Sequence, residues 1–181
     1  MQFDEGMSDT EIALVEEKYA VRFPPDLREF LQIALPLSQP SSGWFPSWRL
    51  TIAGDEESHR KIVASLEWPA EGICFDVEHN GFWMENEWGT RPSELDQAKD
   101  VARKKVAESP KLIPIFSHRY IPSEPSTAGN PVFSIYQTDI IHYGADLVSY
   151  LEAEFLGGAV PQDIVAMRPI RFWSRLVEVD G

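Results

Sequence analysis

The chain has a single cysteine, Cys74, in 181 residues. An intramolecular disulfide is therefore excluded, and so is a zinc site built from several thiolates. A reducing compartment is the natural expectation for such a chain. No apolar run reaches the roughly 18 residues that a membrane-spanning helix needs. Met1-Gln2-Phe3-Asp4-Glu5 has neither the basic stretch nor the apolar stretch of a secretory signal, so a cytoplasmic location is expected. Basic side chains are scarce: 16 Lys and Arg stand against 29 Asp and Glu, for a net charge of −13. Phosphate backbones repel such a surface, which disfavours direct nucleic-acid binding. The same charge favours encounter with a basic protein partner.

Sequence motifs for catalysis are also missing. There is no H-E-x-x-H, no G-x-S-x-G, no Walker A loop and no G-x-G-x-x-G. The four histidines, His59, His79, His118 and His142, have no metal-ligand spacing with one another. Asp76, Glu78 and His79 are close in sequence, but on a strand His79 would lie off the face that Asp76 and Glu78 share. Cys74 sits in the apolar run Ile73-Cys74-Phe75, the setting of a buried structural thiol. Neither a cofactor nor a metal is expected, and the protein is not expected to be an enzyme.

Hydrophobic residues make up 43% of the chain, enough for a sizeable core. One domain over residues 1–181 is expected. Ser8-Asp9-Thr10-Glu11 has the pattern of a capping box, followed by Ile12, Val15 and Tyr19 on one helical face. Phe23-Pro24-Pro25 breaks that helix, and Pro25 suits the start of the next, with Leu27, Phe30, Leu31 and Ala34 as its stripe. Pro36 ends it, and residues 37–49 read as a loop rich in Pro, Ser and Gly (Pro40, Ser41, Ser42, Gly43, Pro46). A third helix over 55–66 is closed by Trp68-Pro69. A strand over 73–77, a turn at Asn80-Gly81 and a return strand over 82–84 follow. Ser93 is placed to cap a helix running to about Ala107. Residues 112–116 read as a strand at an edge or a bulge, because Pro114 lacks an amide donor. After a loop over 122–131, strands over 132–136 and 140–143 form a hairpin. Asp146 caps a helix that Gly157-Gly158 ends, and 170–177 is a last amphipathic segment. With no regular βαβ alternation, the expected class is α+β, a mainly antiparallel sheet surrounded by helices.

Five of the six tryptophans lie between positions 44 and 88. Trp44, Phe45, Trp48, Trp68, Trp83 and Trp88 lie among Asp55-Glu56-Glu57, Glu78, Glu85 and Glu87. Tryptophan among polar residues is a common interface composition, although at least half of these rings are expected in the core. The partner-binding candidates are Trp44, Phe45, Trp48, Asp55, Glu56, Glu57, Glu85, Glu87 and Trp88, with Trp44, Phe45 and Trp48 expected to be the most exposed rings.

Two segments resemble the SUKH superfamily of Smi/Knr-type proteins. The first runs from Ser8-Asp9-Thr10-Glu11-Ile12 through Tyr19 and Phe23-Pro24-Pro25-Asp26-Leu27 to Phe30-Leu31. It resembles the family's opening helix pair. The second is Leu112-Ile113-Pro114-Ile115 with Gly129-Asn130-Pro131-Val132-Phe133-Ser134-Ile135, similar to the family's strand pair. The chain departs from the pattern at Ala34-Leu35-Pro36, where the family often has an Asn-Gly-Gly-like turn, and at Ser134 and Ile135, where it often has an Asp. The resemblance implies a SUKH-like α+β domain without catalytic residues. Bacterial members are commonly immunity proteins that neutralise polymorphic toxins, many of them nucleases. Fungal relatives are regulatory interaction proteins. An immunity protein for a toxin with a basic surface is therefore the leading expectation. A regulatory or scaffold module of the same fold is the alternative, and a small hydrolase or metal enzyme the third.

Overall fold

A computed structural model describes residues 2–38, 43–159 and 167–179. The element order is β1 (Gln2–Glu5), α1 (Asp9–Tyr19), α2 (Pro25–Ile33), β2 (Ala34–Leu37), α3 (Trp48–Ile52), α4 (Glu56–His79), α5 (Glu85–Trp88), α6 (Leu95–Ala107), β3 (Leu112–Phe116), β4 (Arg119–Pro122), β5 (Val132–Tyr136), β6 (Asp139–Gly144), α7 (Leu147–Phe155) and α8 (Trp173–Val179). Strands β1 and β2 form an antiparallel ribbon, and β3-β4-β5-β6 form an antiparallel sheet in sequence order. The protein is α+β, with helices packed around these two sheets. Among the described residues, no helix is long and apolar enough to cross a membrane.

The opening helix pair forms by local chemistry. Ser8 and Glu11 make the reciprocal capping box, with Ser8 N–H donating to Glu11 at 2.7 Å and Glu11 N–H to Ser8 Oγ at 3.3 Å. Ile12, Val15 and Tyr19 are buried on one face of α1. Glu16, on the same helix, is also buried, because it has work at the corner that follows. Its carboxylate accepts from the Phe23 amide at 2.8 Å and from Arg22 Nη1 at 2.9 Å. The Phe-Pro-Pro corner thus has its one free amide satisfied by a side chain from the preceding helix.

Helix α4 overturns the expectation that Trp68-Pro69 ends a helix and that residues 73–77 form a strand. It runs unbroken through Pro69 to His79. Ile62, Pro69, Ile73, Asp76 and Val77 are buried along it, so the apolar run follows a helical period as well as it fits a strand. Asn80-Gly81 consequently follows the C-terminus of a helix and is not a hairpin turn, and residues 82–84 carry no strand. Strands β1, β2 and β4 lie where no strand is expected from the sequence. The helix after Ser93 starts two residues later, with Glu94 at the N-cap position. Pro114 fits both expectations, since β3 is an edge strand and its register shifts between Pro114 and Phe116. The loop expected over 37–49 is bounded by β2 and α3, and its residues 39–42 lie outside the described residues.

Two apolar clusters make up the core. One joins α1, α2, Phe45 and Trp48 to β3 and α7. The other joins the second half of α4 and α6 to β5, β6 and Trp173. Helix α4 takes part in both, and it is the element around which the candidate sites are arranged.

Candidate functional site

Helix α4 is held against the sheet by contacts that leave one of its flanks bare. Its start is capped by Asp55, whose carboxylate accepts from the Ser58 amide at 2.7 Å. Its middle approaches the β5–β6 turn so closely that a Cβ on Gly72 would lie 2.8 Å from Gln137 Cα. Its last turn is tied to the same hairpin by Asp76, which is 3% exposed. Asp76 accepts from the Thr138 amide at 2.8 Å, from Thr138 Oγ1 at 2.6 Å and from Asn80 Nδ2 at 2.5 Å. These bonds set the hairpin tip beside the exposed flank of the helix.

On that flank Trp68 is 43% exposed and Phe75 44%, and Tyr136 at the hairpin tip is 59% exposed. The Trp68 and Tyr136 ring centroids are 6.3 Å apart. Trp68 stands between two hollows. One, of about 470 Å³, is shared with the half-buried Trp44, with His118 and with Tyr120. The other, of about 300 Å³, is shared with Phe75, Glu71, Glu78 and Gln137. Residues 61, 64, 68, 71 and 75 follow the i, i+3, i+4 spacing of one helical stripe, so Trp68 and Phe75 share one face of α4, with Tyr136 beside Trp68 and Trp44 across the larger hollow; these four rings are the aromatic face.

The charges beside this face are mostly neutralised. Lys61 pairs with Glu57 at 2.7 Å, Lys99 with Glu78 at 2.6 Å and Arg103 with Glu71 at 3.6 Å. The hydrogen bond from the Lys99 ammonium holds the Glu78 carboxyl below the usual carboxylate range. Burial raises the Cys74 thiol, which lines the smaller hollow, and this keeps it a poor nucleophile. Burial and the adjacent Arg119 lower His118. Among the described residues, no group of three or more His, Cys, Asp or Glu side chains is placed to hold a metal.

Several of the sequence candidates fall elsewhere. Phe45 and Trp48, expected to be exposed, are 3% and 2% exposed. Trp48 packs edge-on to Tyr19 and Phe23, with centroids 5.8 and 5.3 Å away, and Phe45 contacts Phe116 at 4.6 Å. They lie beside a polar loop, yet they fill the space between α1, α2 and β3. Trp88 is buried as well, stacked on Phe172 and edge-on to Trp83. Of the aromatic candidates, only Trp44 reaches the exposed face. Asp55, Glu56 and Glu57 are exposed at the N-terminus of α4, whereas Glu85 and Glu87 follow its C-terminal end. The 24 residues of α4 span about 35 Å, so the two acidic groups do not form one patch. Glu87 is engaged by Arg175.

Trp68, Phe75 and Tyr136, the most exposed rings of this face, are not among the candidates that the sequence singles out. In the sequence Trp68 reads as part of a helix stop and Phe75 as part of a buried strand. The stripe 61, 64, 68, 71, 75 is visible in the sequence only if the helix is allowed to continue through Pro69.

The Gly129-Asn130-Pro131 motif is a loop clamp. Asn130 is fully buried, donates to the Pro122 and Pro125 carbonyls at 3.0 and 2.9 Å, and accepts from Arg168 at 2.7 Å. The Gly129 amide donates to Asp26 at 2.9 Å, so the two segments that carry the family resemblance meet in space. No protein-family model matches the chain, and no curated protein or solved structure matches it significantly.

Proposed function

We propose that this protein is a non-enzymatic binding domain of the immunity type, acting in the cytoplasm to cover a basic surface of a cognate toxin. The observation that carries the reading is the aromatic face of α4. Large rings aligned at an exposed surface, with hollows on both sides of a tryptophan, have the composition and shape of a protein contact. The net charge of −13 supports a basic partner, since complementary charge speeds and orients the encounter. The resemblance of residues 8–31 and 112–135 to SUKH proteins supports the same reading. It also makes a bacterial source and a nuclease-type toxin the leading choice of partner.

The test is co-expression with the toxin gene adjacent to this protein's own. Rescue of growth by the wild type, its loss with Trp68→Ala, and a salt-sensitive complex in pull-down are the expected results. A complex that forms equally well with Trp68→Ala and Tyr136→Ala sinks the assignment of this face. Absence of any toxin partner moves the reading to a regulatory module of the same fold.

A further inference from the structure

The other flank of α4 carries a second concave site. A groove of about 490 Å³ lies between the end of α1, the first half of α4 and the end of α6. Its walls are Val21, Val63, Leu66, Val106 and Leu112, and Trp173 closes one side. Both the volume and the apolar walls fall within the range of small-ligand sites. Inside it, the Tyr19 hydroxyl and His59 Nδ1 are 3.0 Å apart, so these two polar groups already satisfy each other.

The groove is cationic on a strongly acidic protein. Lys18, Arg103 and Lys111 line it against one carboxylate, Glu67. Arg103 is engaged by Glu71 at 3.6 Å and Asp100 at 3.5 Å. The two lysines differ from it: Lys18 Nζ donates to the Thr51 carbonyl at 2.6 Å and Lys111 Nζ to the Ala20 carbonyl at 2.7 Å. Among the described residues, lysine ion pairs are formed by Lys61, Lys99 and Lys104. A neutral carbonyl orients an ammonium without cancelling its charge, so at the rim of an apolar cleft stand two lysines that, among the described residues, are held by carbonyls and not by a close carboxylate. Lys111 stands where the groove meets a polar hollow of mixed charge, in which Glu16, Glu17, Glu108 and Glu124 face Arg22 and Arg171.

We propose that this groove binds a small organic anion with an apolar body, of the class of medium-chain acyl carboxylates. The chain lies against Val63, Val106 and Trp173, and the carboxylate meets Lys18 or Lys111. An ammonium bonded to a carboxylate gains a charge–charge attraction that its bond to a neutral carbonyl lacks. The protein-binding reading is not needed for this, because the groove uses residues 59, 63, 66 and 70 of α4, on the flank opposite Trp68.

The experiment is an NMR titration of the ¹⁵N-labelled full chain with octanoate and, separately, with 1-octanol. Octanoate is expected to bind saturably, at least tenfold tighter than octanol, with the largest shifts at the amides of Val63, Val106 and Leu112. Lys111→Met or Lys18→Met, changes at the groove rim, should weaken octanoate several-fold and leave octanol unchanged. Val106→Trp fills the groove and should abolish both. Equal affinity for the two ligands, shifts centred away from the groove, or octanoate binding indifferent to both lysine variants would overturn the proposal.

Discussion

The Tyr120 hydroxyl donates at 2.9 Å to the Ser65 carbonyl, the group that Pro69 leaves without its helical donor. In a regular helix the amide of residue 69 would bond to that carbonyl, and proline has no amide to offer. Tyr120 is 1% exposed on β4, so the sheet supplies what the helix lacks, and α4 continues for ten residues past the proline. The exposed ring of Phe75 owes its place on the aromatic face to this bond.

Tyr120→Phe should therefore lower stability by about 1–3 kcal/mol, the cost of an unsatisfied buried carbonyl. Pro69→Ala restores the missing amide, so the same Tyr120→Phe change should cost less in that background. A double-mutant cycle by urea unfolding reads the coupling, and identical costs in both backgrounds would contradict the exchange of donors.

Burial pushes the Tyr120 hydroxyl up to about 12, and it pushes Tyr150 up as well. A raised tyrosine keeps its proton in the folded state after the unfolded chain has lost its own. The contribution is therefore fully present below pH 10 and falls away as the pH rises toward 12, by about 2–3 kcal/mol for Tyr120. Unfolding followed between pH 9 and 12 should show this loss, and a flat profile would count against the burial of both hydroxyls.

On the acid side, the Arg49 guanidinium, at 2.7 Å, and the capping bonds with Ser8 bring the Glu11 carboxyl down to about 2. A depressed carboxyl contributes stability that is present above its ordinary value of 4.5 and is lost as the pH falls through about 2. Glu11→Gln should flatten the part of the acid-unfolding curve that lies between those values. It should also lower stability at pH 7, since it weakens both the ion pair and the cap.

Asp76→Ala removes the acceptor of three hydrogen bonds from Thr138 and Asn80. A loss of about 2–4 kcal/mol is expected, with fast amide exchange at Thr138 as the local signature.

Trp48 and Trp68 should behave oppositely. Trp48→Ala empties a site that is 2% exposed and should cost about 3–5 kcal/mol. Trp68→Ala should change stability by less than about 1 kcal/mol and show its effect in partner binding. Thermal unfolding of both variants, alongside the pull-down, separates a folding defect from a contact defect.

Short-range signals along the chain suffice for the opening helix pair, the β5–β6 hairpin, the capped helix α7 and the α+β class. In each of these the signal is local: a Ser8–Glu11 box, a Phe23-Pro24-Pro25 corner, a polar turn after Tyr136, an Asp146 cap; the structure shortens that turn to two residues, with Asp139 paired to Tyr136. The tertiary structure decided the length of α4 and, with it, the aromatic face. Pro69 ends a helix unless something distant replaces its amide, and the donor, Tyr120, is 55 positions away from the carbonyl it serves. Exposure of the rings was decided in the same way. Phe45 and Trp48 sit in a polar stretch and are buried, while Trp68 and Phe75 sit in an apolar stretch and are exposed. A side chain's neighbours in sequence do not set its burial; the packing of α1, α2 and β3 around one pair, and the open flank of α4 around the other, does.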